Sequence, residues 1–182
     1  DPHRRSVYET IRRNAERILA LINQMMDLRK IDKGQMQMRM QETDLIGFIE
    51  DIHTLFTQQA QSKNITFNYE HDTQELPVWI DRNNFDKVVM NILSNAFKFT
   101  PAGGEIRIRV THQDENATIS FYDNGEKIPE EQLKHIFERF YQSPTSMNSR
   151  KSGTGIGLDL TRSLVELHHG TISVHNNADG KG

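Results

Sequence analysis

The chain has 182 residues, of which 35% are hydrophobic and 26% charged, a composition typical of a folded globular protein. Its 22 basic and 25 acidic residues are well mixed and leave a formal net charge of -3, which excludes a broad basic surface of the kind that binds nucleic acid. The absence of cysteine excludes a disulfide framework and a cysteine-ligated metal site, and every apolar run is far shorter than the roughly 20 residues that span a bilayer.

The first segment has the apolar periodicity of a coiled-coil helix. Apolar residues recur at alternating steps of three and four, with one asparagine in the seam. The seam consists of Val7, Ile11, Asn14, Ile18, Leu21, Met25 and Leu28. The pattern predicts one long helix over residues 6–31 that packs on a partner helix in a bundle. Packing of this helix on its own domain is the open alternative.

Several short elements follow. Methionines alternate with polar residues over 36–40 and predict a strand, and apolar residues at spacings of three and four predict helices over 45–61 and 83–99. Further strands are expected at 65–69 and 78–80.

The second half of the chain begins with two alternating segments around a polar turn. They predict an antiparallel hairpin of strands 105–111 and 117–122. A short helix over 130–137, a loop over 143–152, a helix over 155–168 and a closing strand over 171–175 are expected next. This order predicts an α+β fold, a two-layer α/β sandwich with a mixed sheet covered on one face by three helices, preceded by the long coiled-coil-like helix.

Three polar residues of the predicted helix 83–99 share one face. Asn91, Asn95 and Lys98 stand at i, i+4 and i+7, opposite the apolar stripe. Carboxamide oxygens suit magnesium, and a lysine ammonium suits a phosphate. The alternative is an ordinary solvated helix face.

Two further features point to an anionic ligand. Asp123 ends a predicted strand and precedes Asn124 and Gly125, so its carboxylate can face a cleft, although a plain Asp-Asn-Gly turn is as good an interpretation. The string Gly153–Leu158 opens a helix, where backbone N–H groups can approach phosphate oxygens. It lacks the lysine of a Walker loop and the preceding strand of a Rossmann fingerprint, which disfavours both folds.

The order of these features resembles the sensor histidine kinases of two-component systems. Residues 91–98 resemble the N box, Asp123–Gly125 the first glycine box, Phe137–Phe140 the F box and Gly153–Leu158 the second glycine box. The likeness covers residues 36–176, and Arg29-Lys30-Ile31 resembles the end of the family's second dimerisation helix; some features are similar to hybrid two-component sensors.

The resemblance implies the Bergerat ATP-binding fold of the GHKL superfamily. Residues 1–34 would be the second helix of a dimerisation domain whose first helix is missing, and residues 35–182 the catalytic domain with a truncated final strand. ATP and Mg²⁺ are the implied cofactors. The implied partners are a second copy, which makes a homodimer of the full-length protein, and the receiver domain of a response regulator. The implied location is the cytoplasmic part of an inner-membrane sensor.

The resemblance also implies individual roles. Asn91 and Asn95 would bind magnesium, Lys98 would bind a phosphate, and Asp123 would accept a hydrogen bond from the adenine amine. Residues 143–152 would form the ATP lid. The full set of implied ATP-binding residues is Asn91, Asn95, Lys98, Phe99, Asp123, Gly125, Ile128, Phe137, Arg139, Phe140, Gly153, Thr154, Gly155, Ile156, Gly157 and Leu158.

Two departures from the family pattern leave alternatives open. Lys127 stands where the family has a glycine, which costs about 1 kcal/mol if the backbone there needs a positive φ. No histidine matches the phosphoacceptor motif, so the chain alone is not expected to phosphorylate itself. A degenerate docking module is one alternative function. A GHKL ATPase is another, disfavoured because Asn91 stands where hydrolytic relatives place a glutamate base.

Overall fold

The computed structural model describes residues 2–142, 153–178 and 182, so the predicted lid 143–152 lies outside the described residues. Within them the protein has five helices and five strands. The elements are, in chain order, α1 (Pro2–Asp32), β1 (Gln41–Asp44), α2 (Leu45–Lys63), β2 (Thr66–His71), β3 (Pro77–Ile80), α3 (Arg82–Phe99), β4 (Glu105–Gln113), β5 (Asn116–Asp123), α4 (Glu130–Leu133) and α5 (Gly157–Leu167).

The described strands form two sheets. β1 pairs antiparallel with β3, and β4 lies between β2, its parallel neighbour, and β5, its antiparallel neighbour. Helices α2 and α3 bury their apolar stripes against the three-stranded sheet in one core, which includes the fully buried Leu93, Phe97 and Ile108. The mixed sheet, its covering helices and the long first helix confirm the predicted α+β architecture.

Both long helices of the core begin at an aspartate. The Asp44 carboxylate accepts hydrogen bonds from the N–H groups of Ile46 and Gly47 at the start of α2. The Asp81 carboxylate accepts one from the N–H of Asn84 at the start of α3, and α3 ends just before Pro101, which cannot continue a helix. Local capping therefore fixes where α3 starts and stops, and with it the placement of the polar face of that helix.

Asp81 offers a direct test of this capping. Its residue is 4% exposed, and its carboxylate accepts from the Arg39 N–H (2.8 Å), the Asn84 N–H (3.1 Å) and the Asn84 side chain (3.0 Å). Burial alone would raise the pKa of Asp81, but these donors outweigh it and hold the pKa below its ordinary value. We expect Asp81→Ala to lower the free energy of unfolding by about 2–4 kcal/mol near neutral pH, because three donors lose their acceptor.

The pH dependence of this effect follows from the lowered pKa. A group whose pKa is depressed by folding stabilises the fold above its unfolded pKa of about 4 and loses that contribution as the pH falls. Urea unfolding of both proteins at about pH 7 and about pH 3 should therefore show a smaller difference in acid. A difference of the same size at both pH values would contradict the assignment.

Helix α1 has two different parts. Its seam residues Val7, Ile11, Ile18 and Met25 are 45–58% exposed. Leu28, near the end of the helix, is 3% exposed and joins Ile156, Leu160 and Leu164 in a second apolar cluster. Leu21 also packs against this cluster. The C-terminal part of α1 therefore packs on its own domain, as the alternative interpretation held, while the four exposed seam residues are free to contact a partner helix, as the coiled-coil interpretation held.

The predicted strand over 36–40 is wrong. The chain has no regular structure there, and the methionines pack individually: Met36 lies against the second apolar cluster, and Met38 contacts the Asn84 side chain. The Arg39 N–H is used by the Asp81 carboxylate and not by a neighbouring strand. The strand starts only at Gln41.

Two C-terminal elements also differ from the expectations. The predicted closing strand over 171–175 is wrong: these residues have no strand structure, and the side chains of Asn176 and Asn177, which follow them, bind the backbone of Ile128 and Asp123. Helix α4 ends after four residues, at Leu133. None of the helices within the described residues is long and apolar enough to cross a membrane.

Candidate functional site

A large cleft of about 1540 Å³ opens between α3, the end of β5 and the start of α5. It brings twelve of the sixteen predicted ATP-binding residues together. These are Asn91, Asn95, Lys98, Phe99, Asp123, Ile128, Phe137, Gly153, Thr154, Gly155, Gly157 and Leu158. The cleft continues along the outer edge of β5, so it is larger than the roughly 300–1,000 Å³ of a usual small-molecule pocket.

Asn91 connects α3 to the start of α5. Its amide nitrogen donates to the Gly157 carbonyl (3.2 Å) and to the Thr161 hydroxyl (3.3 Å), which fixes the orientation of the carboxamide. The amide oxygen accepts from the Gln24 side chain of α1 at 3.4 Å. Asn95, one turn along the same face of α3, also lines the cleft. Both carboxamides could thus serve as neutral oxygen ligands in the cleft, and the Gln24 hydrogen bond would compete with an ion for the Asn91 oxygen.

Lys98 places a positive charge beside the glycine string. Its ammonium lies 4.7 Å from the centroid of the Phe99 ring, and a Cβ atom built on Gly153 would lie 3.1 Å from it. Because Gly153 has no side chain, the Lys98 ammonium can lie close to the Gly153 backbone. An anion bound by this backbone would meet the ammonium as a point charge.

The glycine string is shaped by Gly155. This residue has φ +69°, its carbonyl accepts from the Phe140 N–H (2.8 Å), and a Cβ atom on it would come within 2.6–2.8 Å of the backbone of Phe140 and Tyr141. Helix α5 then starts at Gly157 with no side-chain cap. Its first residues, Gly157 and Leu158, line the cleft, and a helix N-terminus favours negative charge.

Asp123, the last residue of β5, also lines the cleft. Burial raises the pKa of this carboxyl, and the hydrogen bond from the Gly125 N–H to Oδ1 (3.0 Å) offsets the effect only in part. Among the described residues no basic side chain forms an ion pair with it. A half-buried carboxylate with a spare oxygen is suited to accept from an N–H group of a ligand.

Gly125 packs directly under this carboxylate. A Cβ atom there would lie 2.7 Å from Asp123 Oδ1 and 3.0 Å from the Phe99 carbonyl oxygen, so only glycine fits. Two residues further on, Lys127 is exposed and does not have a positive φ. The loop therefore adopts a conformation that lysine tolerates, which answers the structural doubt about the replaced glycine.

Four predicted residues do not line the cleft. Gly125 supports Asp123 from below, Ile156 is 3% exposed in the second apolar cluster, and Phe140 is 60% exposed with φ 65°. The Arg139 side chain is directed to the carboxylates of Asp32 and Asp159. Roles of these residues at a nucleotide remain predictions.

Arg139 connects the F-box segment to two helices. Its guanidinium donates to both oxygens of Asp32 at the end of α1 (2.8 and 3.0 Å) and to Asp159 in the first turn of α5 (2.7 Å). The side-chain hydrogen bonds with Asp32 and Asp159 raise the pKa of Arg139. The hydrogen bonds from Arg139 in turn lower the pKa of Asp32. Gln24, Asp32 and Asp159 carry no sequence signal, since each acts through a partner more than 15 residues away in the chain.

Comparison with known proteins gives a consistent result. Residues 80–182 match the family model described as histidine kinase-, DNA gyrase B- and HSP90-like ATPase. The chain is 40% identical over 176 residues to the sensor histidine kinase TmoS of Ectopseudomonas mendocina, covering 96% of this chain and 18% of TmoS. The first three curated relatives are covered over only 13%, 18% and 11% of their length.

Solved structures agree with this result. The catalytic domain of histidine kinase ThkA superposes with a TM-score of 0.64 at 30% identity, over 72% of this chain and 82% of that domain. ThkA in complex with the response regulator TrrA gives a TM-score of 0.69 at 25% identity, over 90% of this chain and 46% of that one.

Proposed function

The chain belongs to the family of histidine kinase-, DNA gyrase B- and HSP90-like ATPases, and on that premise we propose that it binds Mg-ATP and presents the γ-phosphate to a histidine of a sensor kinase. The observation that carries the proposal is the pair of opposite charges in the cleft lining. Asp123, a half-buried carboxylate with no ion-pair partner among the described residues, and Lys98 beside the glycine string both line the cleft. This lining matches a ligand that carries both an N–H donor and phosphates.

At the adenine end, Asp123 would accept from the exocyclic amine, between Phe99 and Ile128. At the phosphate end, Lys98 and the N–H groups of residues 153–157 would hold the oxygens, with residues 143–152 as the proposed lid. Asn91 and Asn95 offer the neutral oxygen donors that magnesium takes alongside phosphate oxygens, so the donor set fits this ion. Magnesium would neutralise charge on the phosphates during transfer.

The reaction would be a phosphoryl transfer. The bond between the γ-phosphorus and the oxygen of ADP breaks, and a bond between that phosphorus and a histidine ring nitrogen forms. We propose that the histidine belongs to a dimerisation helix outside this chain, and that the phosphoryl group passes on to an aspartate of a response regulator. Supporting this, the solved complex of ThkA pairs a similar chain with the regulator TrrA.

The exposed seam of α1 supports a homodimer of the whole protein. Val7, Ile11, Ile18 and Met25 present an apolar stripe that a second helix would cover. The names of the relatives support a place in a sensor, and we propose that the whole protein is anchored in the inner membrane with this part on the cytoplasmic side.

The alternatives are an ATPase and a docking module. Hydrolysis needs a base that takes a proton from water, and the carboxamide of Asn91 cannot do this. A docking module that has lost the ability to bind ATP is disfavoured, because its sequence support was Lys127, and Lys127 causes no backbone strain.

Calorimetric titration with AMP-PNP, with and without magnesium, tests nucleotide binding. The kinase proposal then predicts label transfer from γ-labelled ATP to an added dimerisation domain bearing the histidine, stable to base and labile to acid. The chain alone should acquire no such label and release little phosphate. Steady ATP turnover by the chain alone would favour the ATPase, and no binding at millimolar nucleotide would favour the docking module.

Gln24 gives a prediction about magnesium. Its amide donates to the Asn91 oxygen that would meet the ion, so this bond would compete with the ion for the electron density of that oxygen. We expect Gln24→Ala to tighten Mg-ATP binding about two- to tenfold, the value of one neutral hydrogen bond, with little change for ATP without magnesium. Gln58→Ala, an exposed glutamine of α2, is the matched control for calorimetry. Equal affinities with and without the substitution would show that Gln24 does not compete with the ion.

A further inference from the structure

The loop that follows Asp123 is held by side chains from the C-terminal segment. The Ile128 N–H donates to Asn176 Oδ1 (3.1 Å), and Asn176 Nδ2 donates back to the Ile128 carbonyl (2.7 Å). Next to it, Asn177 Nδ2 donates to the Asp123 carbonyl (2.9 Å). Two neighbouring asparagines thus bind the first and last residues of the segment 123–128.

The two bonds of Asn176 take the place of a strand pairing. A carboxamide carries the same donor and acceptor as a peptide group, so one side chain can satisfy both backbone groups of Ile128, as a neighbouring strand residue would. Asn176 is itself half-buried, which limits competition from water. The Ile128 end of this loop is therefore held by a side chain 48 residues away in the chain.

The held segment forms one wall of the proposed nucleotide site. Ile128 and Asp123 both line the cleft, and the segment between them contains Lys127, where a glycine would have left the loop freer. The other described hydrogen bonds of the segment are made at residues 123–125: the Asn177 side chain with the Asp123 carbonyl, Asn124 with Glu105, the Gly125 N–H with Asp123 Oδ1, and the Gly125 carbonyl with the Gly182 N–H. Within the described residues, Asn176 is thus the residue that holds the Ile128 end of the segment.

We propose that Asn176 is a positioning residue for the adenine side of the site. It acts through Ile128, whose backbone it fixes, and the role rests on the proposed function as an ATP-binding domain. Removing the carboxamide should loosen the wall at Ile128 and weaken binding of the nucleoside part, while the phosphate end at Lys98 and the glycine string keeps its shape.

The test compares Asn176→Ala and the isosteric Asn176→Asp with Asn68→Ala, an exposed asparagine of β2. Asn176→Asp keeps the acceptor for the Ile128 N–H but places a carboxylate against the Ile128 carbonyl. Hydrogen exchange reports the Ile128 amide, and the amide of Ile108 in the central strand β4 reports global unfolding. Calorimetry gives the affinities for AMP-PNP and for inorganic tripolyphosphate, which has no nucleoside.

For both Asn176 variants we expect exchange at Ile128 and the dissociation constant for AMP-PNP to rise about tenfold, with Ile108 exchange and tripolyphosphate binding within about twofold of wild type. Asn68→Ala should match wild type throughout. Unchanged AMP-PNP affinity, or parallel losses for AMP-PNP, tripolyphosphate and Ile108 protection, would overturn the inference. A wild-type chain that binds no AMP-PNP would instead refute the proposed function, and the inference with it.

Discussion

Replacing Asp123 by asparagine should abolish most nucleotide binding without weakening the fold. The Gly125 N–H needs an acceptor at Oδ1, so the amide of the variant turns its oxygen there and presents its NH₂ group to the cleft. This donor would face the donor amine of adenine, in place of a charged acceptor. Losing such a charged contact costs about 3 kcal/mol, so we expect the dissociation constant for ATP to rise about 100-fold in calorimetry.

The fold of the variant should be as stable as wild type or more so. Burial raises the pKa of Asp123, which means that the ionised carboxylate opposes folding near neutral pH. For a pKa raised by folding, the favourable contribution is present at low pH and is lost as the pH rises through the folded pKa. A neutral amide escapes this loss, so urea unfolding near pH 7 should favour the variant, and the advantage should disappear in acid.

The matched control is Asp114→Asn, at the exposed turn between β4 and β5. Its φ of 54° is one that asparagine adopts as readily as aspartate. This variant should keep the ATP affinity of the wild type. Retention of ATP affinity in Asp123→Asn, or a loss of affinity that parallels a loss of stability, would remove Asp123 from the proposed site.

Replacing Gly155 by alanine should damage both the fold and the phosphate end of the cleft. Alanine at φ +69° costs about 1–2 kcal/mol, and its Cβ would collide with the backbone of Phe140 and Tyr141 at 2.6–2.8 Å. Because backbone atoms cannot move aside as a flexible side chain can, we expect a total loss of about 3 kcal/mol in unfolding free energy. Nucleotide affinity should fall at least tenfold, about 1.4 kcal/mol, since residues 153–157 are proposed to hold the phosphates.

Gly157→Ala is the comparison within the same string. A Cβ atom there would lie 3.6 Å from Asn91 Oδ1, an ordinary contact, and the residue is the first of α5. Alanine favours a helix over glycine, so this variant should unfold at the same or a higher urea concentration. Equal losses of stability in both variants would show that the shape of the string does not depend on the left-handed Gly155.

Local signals in the sequence were sufficient for much of the fold. Helix α3 was expected over 83–99 and spans Arg82–Phe99, because a capping aspartate, an apolar stripe and a following proline all lie within the segment itself. Asp123 and the glycine string were likewise found from short motifs and do meet in one cleft.

Tertiary contacts explain what could not be predicted. The methionines at 36–40 alternate like a strand, yet the Arg39 N–H is taken by Asp81, 42 residues away. Similarly, the pairing of Gln24 with Asn91 and of Asp32 with Arg139 depends on how α1 packs across the domain. The sequence around Asn176 and Asn177 has no functional motif. The hydrogen bonds of Asn176 to Ile128 are visible only in the folded chain.

Nuclear magnetic resonance with Mg-AMP-PNP tests the central claim most directly, because it locates the ligand as well as detecting it. A saturable titration should shift the backbone amides of residues 91–99, 123–128 and 153–158. The amides of exposed β2 residues such as Asn68 should stay unchanged. Absence of shifts at millimolar nucleotide, or saturable shifts confined to residues outside these three segments, would contradict an ATP-binding catalytic domain.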